Sequence, residues 1–241
     1  MRLINRLSAS RSSAGSDETG ALMSIALVAL AVVTGVHLVA QLAAPEGLVV
    51  ELTQVLLMPL LAAALFAGTS RPRGRLVGLV LIALFFSWLG DTVPRFVGGD
   101  GGFLSLVGCF LVAQVVYAVA FWPFRKQSLL GRPAVVGVYG VALVLLVVLC
   151  AEEAGPLLVP VVVYGIALVT MAVLATGLGP VAGVGGAVFL VSDSLIALRA
   201  FADIDLPAHS FWVMLTYVVG QVLLVLAVRK HAVGVSGGQA E

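Results

Sequence analysis

Eight apolar runs, each about as long as a bilayer is thick and joined by connectors too short to fold alone, leave this chain almost no choice of architecture. They fall at 21–44, 48–67, 76–97, 102–121, 133–151, 156–177, 181–201 and 207–228. A hydrocarbon core about 30 Å thick takes roughly 20 apolar residues per helix, and inside it every backbone N–H and C=O must be bonded within its own segment. The runs are therefore expected as helices. Their breaks, "APEG", "GTSRPRGR", "GGDGG", "FRKQSLLGRP", "EEAGP", "GLGP" and "ADIDLP", are polar or turn-forming. With 61% hydrophobic and 10% charged residues, the chain cannot cover a water-facing surface. A net charge of +1 gives no bulk attraction to nucleic acid.

The expected fold is all-α: a polytopic membrane protein with eight transmembrane helices over 21–230, a disordered cytoplasmic tail over 1–20 and a second cytoplasmic tail over 231–241. Loops facing the cytoplasm collect Lys and Arg. With the N-terminus inside, 11 of the 13 cations fall on cytoplasmic segments, and only Arg95 and Arg199 lie toward the other side. Both termini are then cytoplasmic, in the cell membrane of a bacterium whose heavy use of Ala, Val, Leu, Gly and Arg suits a GC-rich genome. "LLMPLL" around Pro59 resembles "LLVPVV" around Pro160 at an offset of 101, and Asp91 and Asp193 are offset by 102. Two parallel four-helix repeats would produce this pattern, and so would coincidence in a small apolar alphabet.

Asp91 and Asp193 are the residues that ask for an explanation. An ionised Asp near mid-helix costs about 2.5–3.5 kcal/mol, so it is kept with a partner, a watered cavity or a task. Asp91 could pair with Arg95 at i+4, or reach water at the interface; Asp193 has Ala197 at i+4 and no such partner. Two carboxyls sharing one pocket titrate apart, which sets an acid beside a base. Glycosidases use that pair, and acid-catalysed cleavage of an ether or vinyl ether needs the same two roles. Ser87, Gln114, Tyr117, Ser192, Tyr217 and Gln221 could complete such a site or serve as hydrogen-bonding glue between helices. Tyr164 and Thr170 read as packing residues, and His37 as a satisfied core histidine. No cluster has metal-ligand spacing, so neither a metal nor a cofactor is expected.

"FFSWLGDTVPRF" and "GGAVFLVSDSLIALRAF" resemble the Ser-x-x-Gly-Asp and Ser-Asp segments of the YhhN family, multi-span membrane proteins whose characterised members are lysoplasmalogenases. "FLVAQVVYAVAF", "VPVVVYGIALVTMAV" and "MLTYVVGQVLLVLAV" extend the resemblance over residues 48–228. It implies eight spans and hydrolysis of the vinyl ether bond of a lysoplasmalogen, a lysophospholipid drawn from the bilayer, to a fatty aldehyde and a glycerophospho head group. Asp91 and Asp193 would then be the catalytic pair, with Tyr217 and Gln221 in the last-helix motif. Arg95 and Arg199 could hold the lipid phosphate or anchor the protein at the interface. The chain departs from the family pattern at Met58, where many members carry Lys, and at Gln114, where they carry His. A proton-coupled transporter or lipid flippase could use the same acids. An intramembrane aspartyl protease fits less well, because Trp88 and Leu89 precede Gly90 and the Gly-x-Gly-Asp pattern is missing.

Overall fold

The structure is a computed structural model; it describes residues 2–69 and 72–237, with side chains for 20–69, 72–99 and 101–234. Much of the expected tails, 1–20 and 231–241, lies outside those side chains. The chain forms α1 (Arg2–Ala43), α2 (Leu48–Ala67), α3 (Arg75–Thr92), α4 (Gly99–Phe121), α5 (Pro133–Ala154), α6 (Leu158–Ala175), α7 (Pro180–Phe201) and α8 (His209–Gly237). The all-α class is as expected. The number of spans is not. Among the described residues seven apolar helical runs are long enough to cross a membrane, and the residues expected as the fifth and sixth spans are one continuous run, Pro133–Leu178.

The reason lies in "EEAGP". Glu152 and Glu153 stay inside α5, and a single 3₁₀ turn over Gly155–Leu157 carries the backbone directly into α6. Gly155, at φ +46, turns the chain in a conformation open to glycine, and Leu143 then packs on Gly165. With the count of eight falls the arrangement built on it, two parallel four-helix repeats. The packing also breaks the repeat, since α5 lies on both α6 and α7 whereas α1 lies on α2 and α8. The paired prolines differ as well. Pro160 is the third residue of α6, where its missing N–H is no loss, but Pro59 sits deep inside α2.

Pro59 removes the N–H that would bond the carbonyl of Val55 one turn earlier, and in hydrocarbon an orphan carbonyl is expensive. Trp88 of α3 donates its indole Nε1–H to that oxygen at 3.1 Å. The break in α2 thereby becomes a weld between α2 and α3. On the opposite flank α7 and α8 approach through glycine: a Cβ at Gly185 would lie 3.0 Å from the Gly220 oxygen, and one at Gly220 would lie 2.9 Å from the Phe189 nitrogen. Small residues of this kind let helix backbones meet where lipid offers no hydrophobic drive.

The core runs through α2, α3, α4, α6, α7 and α8, with Leu57, Leu61, Leu84, Tyr117, Phe121 and Phe189 fully buried. α5 buries only Cys150 and Ala154 and turns Val138, Val144 and Val148 outward, toward lipid in a bilayer. Trp88→Phe should cost about 1–3 kcal/mol by stranding the Val55 carbonyl. Adding Pro59→Ala, which restores the backbone donor, should recover most of that loss in unfolding measured by titration with a denaturing detergent.

Candidate functional site: two aspartates on one cavity

Asp91 is carried in the last turn of α3, where Gly90 leaves room for the Phe110 ring; a Cβ at Gly90 would sit 2.5 Å from that ring. Phe110 in turn meets Phe189 and Tyr217 edge-on, with ring centroids 6.4 and 5.7 Å away, and this aromatic cluster fixes where the Tyr217 hydroxyl points. Tyr217 donates to Asp91 Oδ2 at 2.8 Å, and Gln54 Nε2 donates to Oδ1 at 3.4 Å. Arg95 does not pair with the carboxylate. Its Nε donates to the backbone oxygen of Asp91 at 3.1 Å and its Nη2 to Gln54 Oε1 at 2.6 Å, so Gln54 stands between cation and acid.

Asp193 lies midway along α7 and accepts a hydrogen bond from the Tyr164 hydroxyl of α6. Each acid thus has a tyrosine of its own. Both line one cavity of about 630 Å³, together with Gln54, Arg95, Ser192 and Tyr217. The mouth carries Glu46 and Glu51 from the start of α2 and the loop before it. A second lobe of about 490 Å³ adjoins through Gln54, Ile196, Val213 and Met214 and contains Arg199, His209 and Ser210. Arg199 is exposed there, 3.8 Å from Asp205 and 3.3 Å from the Ser210 hydroxyl.

Ser87, Tyr117 and Gln221 lie beneath the cavity in a sealed network. Tyr117 donates to Gln221 Oε1 at 2.6 Å, and Gln221 Nε2 donates to Ser87 Oγ at 3.1 Å. Ser87 and Asp91 on α3 face Gln221 and Tyr217 on α8, one helical turn apart on each, so two polar rungs lock the antiparallel pair. Ser192 joins α7 to the Val213 carbonyl of α8 at 3.0 Å. Gln114 is fully buried beside the Tyr164 hydroxyl, with no hydrogen-bond partner for its amide among the described residues. His37 is satisfied only in part: Nδ1 meets Thr53 Oγ1 at 2.8 Å, while Nε2 has no partner among the described residues.

A family model matches residues 50–228, a stretch that contains both aspartates, both tyrosines and the ladder between α3 and α8. The chain belongs to the YhhN family. No curated protein and no solved structure matched it. Within this YhhN chain two site residues escaped the sequence reasoning. Tyr164, taken as packing, holds Asp193, and Gln54 bridges Asp91 to Arg95. The signal of Tyr164 was a lone polar side chain in an apolar run, the same signal that singled out Gln114 and Gln221, whereas Gln54 follows Glu51 and Thr53 in a polar turn. Met58 is fully buried in the apolar core and does not line the cavity.

Gln221→Leu should strand the Tyr117 and Ser87 hydroxyls and destabilise the protein by about 2–4 kcal/mol, one buried polar group each. The triple variant with Tyr117→Phe and Ser87→Ala should unfold nearer to the unaltered protein in the same detergent titration.

Proposed function

We propose that the protein is a membrane-embedded hydrolase that cleaves the vinyl ether bond of lysoplasmalogen-type lysophospholipids. The observation that carries this reading is the pair of aspartates on one cavity, each hydrogen-bonded to its own tyrosine. Asp91 has two donors on its carboxyl and the Arg95 guanidinium beyond Gln54, a setting that suits a carboxylate facing a cation. Asp193 has one donor and suits the role of acid.

Asp193 gives its proton to the vinyl ether carbon remote from oxygen, and the carbon bonded to oxygen becomes an oxocarbenium. Asp91 stabilises that positive charge. Water from the cavity adds to the cationic carbon and returns a proton to the carboxyl pair. The hemiacetal collapses as its bond to the glycerol oxygen breaks, leaving a fatty aldehyde and a glycerophospho alcohol with one water consumed. Arg95 and Arg199 take the phosphate, and Glu46 and Glu51 at the mouth suit the ammonium of an ethanolamine or choline head.

Purified protein supplied with lysoplasmalogen should release aldehyde. Asp91→Asn and Asp193→Asn should each lower kcat by about 100-fold or more, the usual share of an acid or base, with folding unchanged by size-exclusion profile. Tyr164→Phe and Tyr217→Phe should each lose about tenfold, one hydrogen bond to an ionisable group. Unaltered rates in both Asn variants, or lipid flux into proteoliposomes without aldehyde, would overturn the reading in favour of the carrier.

A further inference from the structure

Asp193 stands where the polar cavity meets two apolar ones. A narrow crevice of about 40 Å³ between α4, α6 and α7 is walled by Val107, Val161, Ile196, Ala197 and Phe201, with Asp193 and Tyr164 at its inner end. A second, of about 50 Å³ between α5, α6 and α7, is walled by Leu143, Leu146, Val161, Leu168 and Leu190 and again touches Asp193. The spaces share walls. Leu106, Phe110 and Ile196 border both the polar cavity and the first crevice, while Val161, Tyr164 and Ala197 border both crevices. The second crevice ends against α5, whose Val141, Val144 and Leu145 are turned away from the protein.

We propose that the two crevices seat the hydrocarbon chain of a single-chain lipid whose polar head occupies the 630 Å³ cavity, the chain passing Asp193 and leaving toward the bilayer between α5 and α7. This rests on the lysolipid reading above and adds to it a direction for the substrate and the residues that set its chain length. The polar groups on both crevices include Tyr164 and Asp193, which satisfy one another, so the walls offer water few further partners. A hydrocarbon chain moving there from lipid exchanges one apolar setting for another, and shape decides where it rests. One narrow path admits one chain, which selects lysolipids over lipids with two. The vinyl ether then falls at Asp193, because that bond is the junction between the chain and the polar head.

The test uses a lysophosphoethanolamine with a saturated 1-O-alkyl chain, which has no vinyl ether to cleave, carrying a diazirine at mid-chain. Irradiated with the full-length protein in nanodiscs, it should label residues within 103–110, 142–147, 158–168 and 190–201, and unlabelled lysolipid should compete. Label confined to α1, α2 or α8, or label that no competitor removes, overturns the proposal. Because the probe is not turned over, label in the crevices without aldehyde release from lysoplasmalogen would keep the chain seat and reject the hydrolase. Aldehyde release with label elsewhere would do the reverse. Ala197→Leu should move the binding preference toward shorter chains by about tenfold, the scale of a few methylenes against a wall, and Val161→Ala should move it toward longer ones. If Ala197→Leu does not fold, Val161→Ala and the labelling decide; an unshifted preference in Val161→Ala overturns the proposal.

Discussion

A carboxyl placed among membrane helices has to be held by donors, and the bundle is organised around supplying them. Left bare, each would cost about 2.5–3.5 kcal/mol at mid-helix, a large fraction of what a small domain has in reserve. Tyr217 and Gln54 meet Asp91, and Tyr164 meets Asp193, so besides α3 and α7 only α2, α6 and α8 supply a polar group to the acids. The helix contacts that look like packing, such as Phe110 on Gly90 and Phe189 on Tyr217, are what aim those donors.

The same need for internal satisfaction explains the polar ladder below the cavity. Tyr117, Gln221 and Ser87 bond one another and leave the α3–α8 register a single solution. A one-turn slip of α8 would break both rungs and re-pair only Gln221 with Asp91 or Tyr217 with Ser87, leaving the other two polar groups in hydrocarbon. Register and acid placement are therefore one property. Pro59 and Trp88 do for α2 and α3 what the ladder does for α3 and α8, and together they hold α3 from both flanks.

Most of the secondary structure was legible because runs of apolar residues have one stable form in lipid. The number of crossings was not, because "EEAGP" looks like a loop by composition while its glutamates stay helical and only Gly155 turns the backbone. Asp91, Asp193, Ser192, Arg95 and Tyr217 were named from sequence and line the main cavity, since charge or a hydroxyl in an apolar run is a strong signal. The simple i+4 pairing of Asp91 with Arg95 was an equally natural expectation and is not formed. Spacing on one helix cannot see Gln54 arriving from another to take the guanidinium. Tyr164 was missed for a related reason: a tyrosine among valines packs or donates according to what lies opposite, and that is tertiary information.

Where the acids sit along their helices narrows the chemistry open to them. Asp91 is in the last turn of α3, on the cavity that Arg95, Glu46 and Glu51 also line. Asp193, midway along α7, has the polar cavity on one side and hydrocarbon-walled crevices on the other. An amphiphile settling into these spaces aligns its own polar boundary with that frontier, because misalignment by a few atoms would drag a head group into the crevice or a chain into water. Under the proposed function, the bond presented to the acids would be the one joining chain to head, and the position of the boundary between the cavities would set the reaction as much as the two carboxyls themselves.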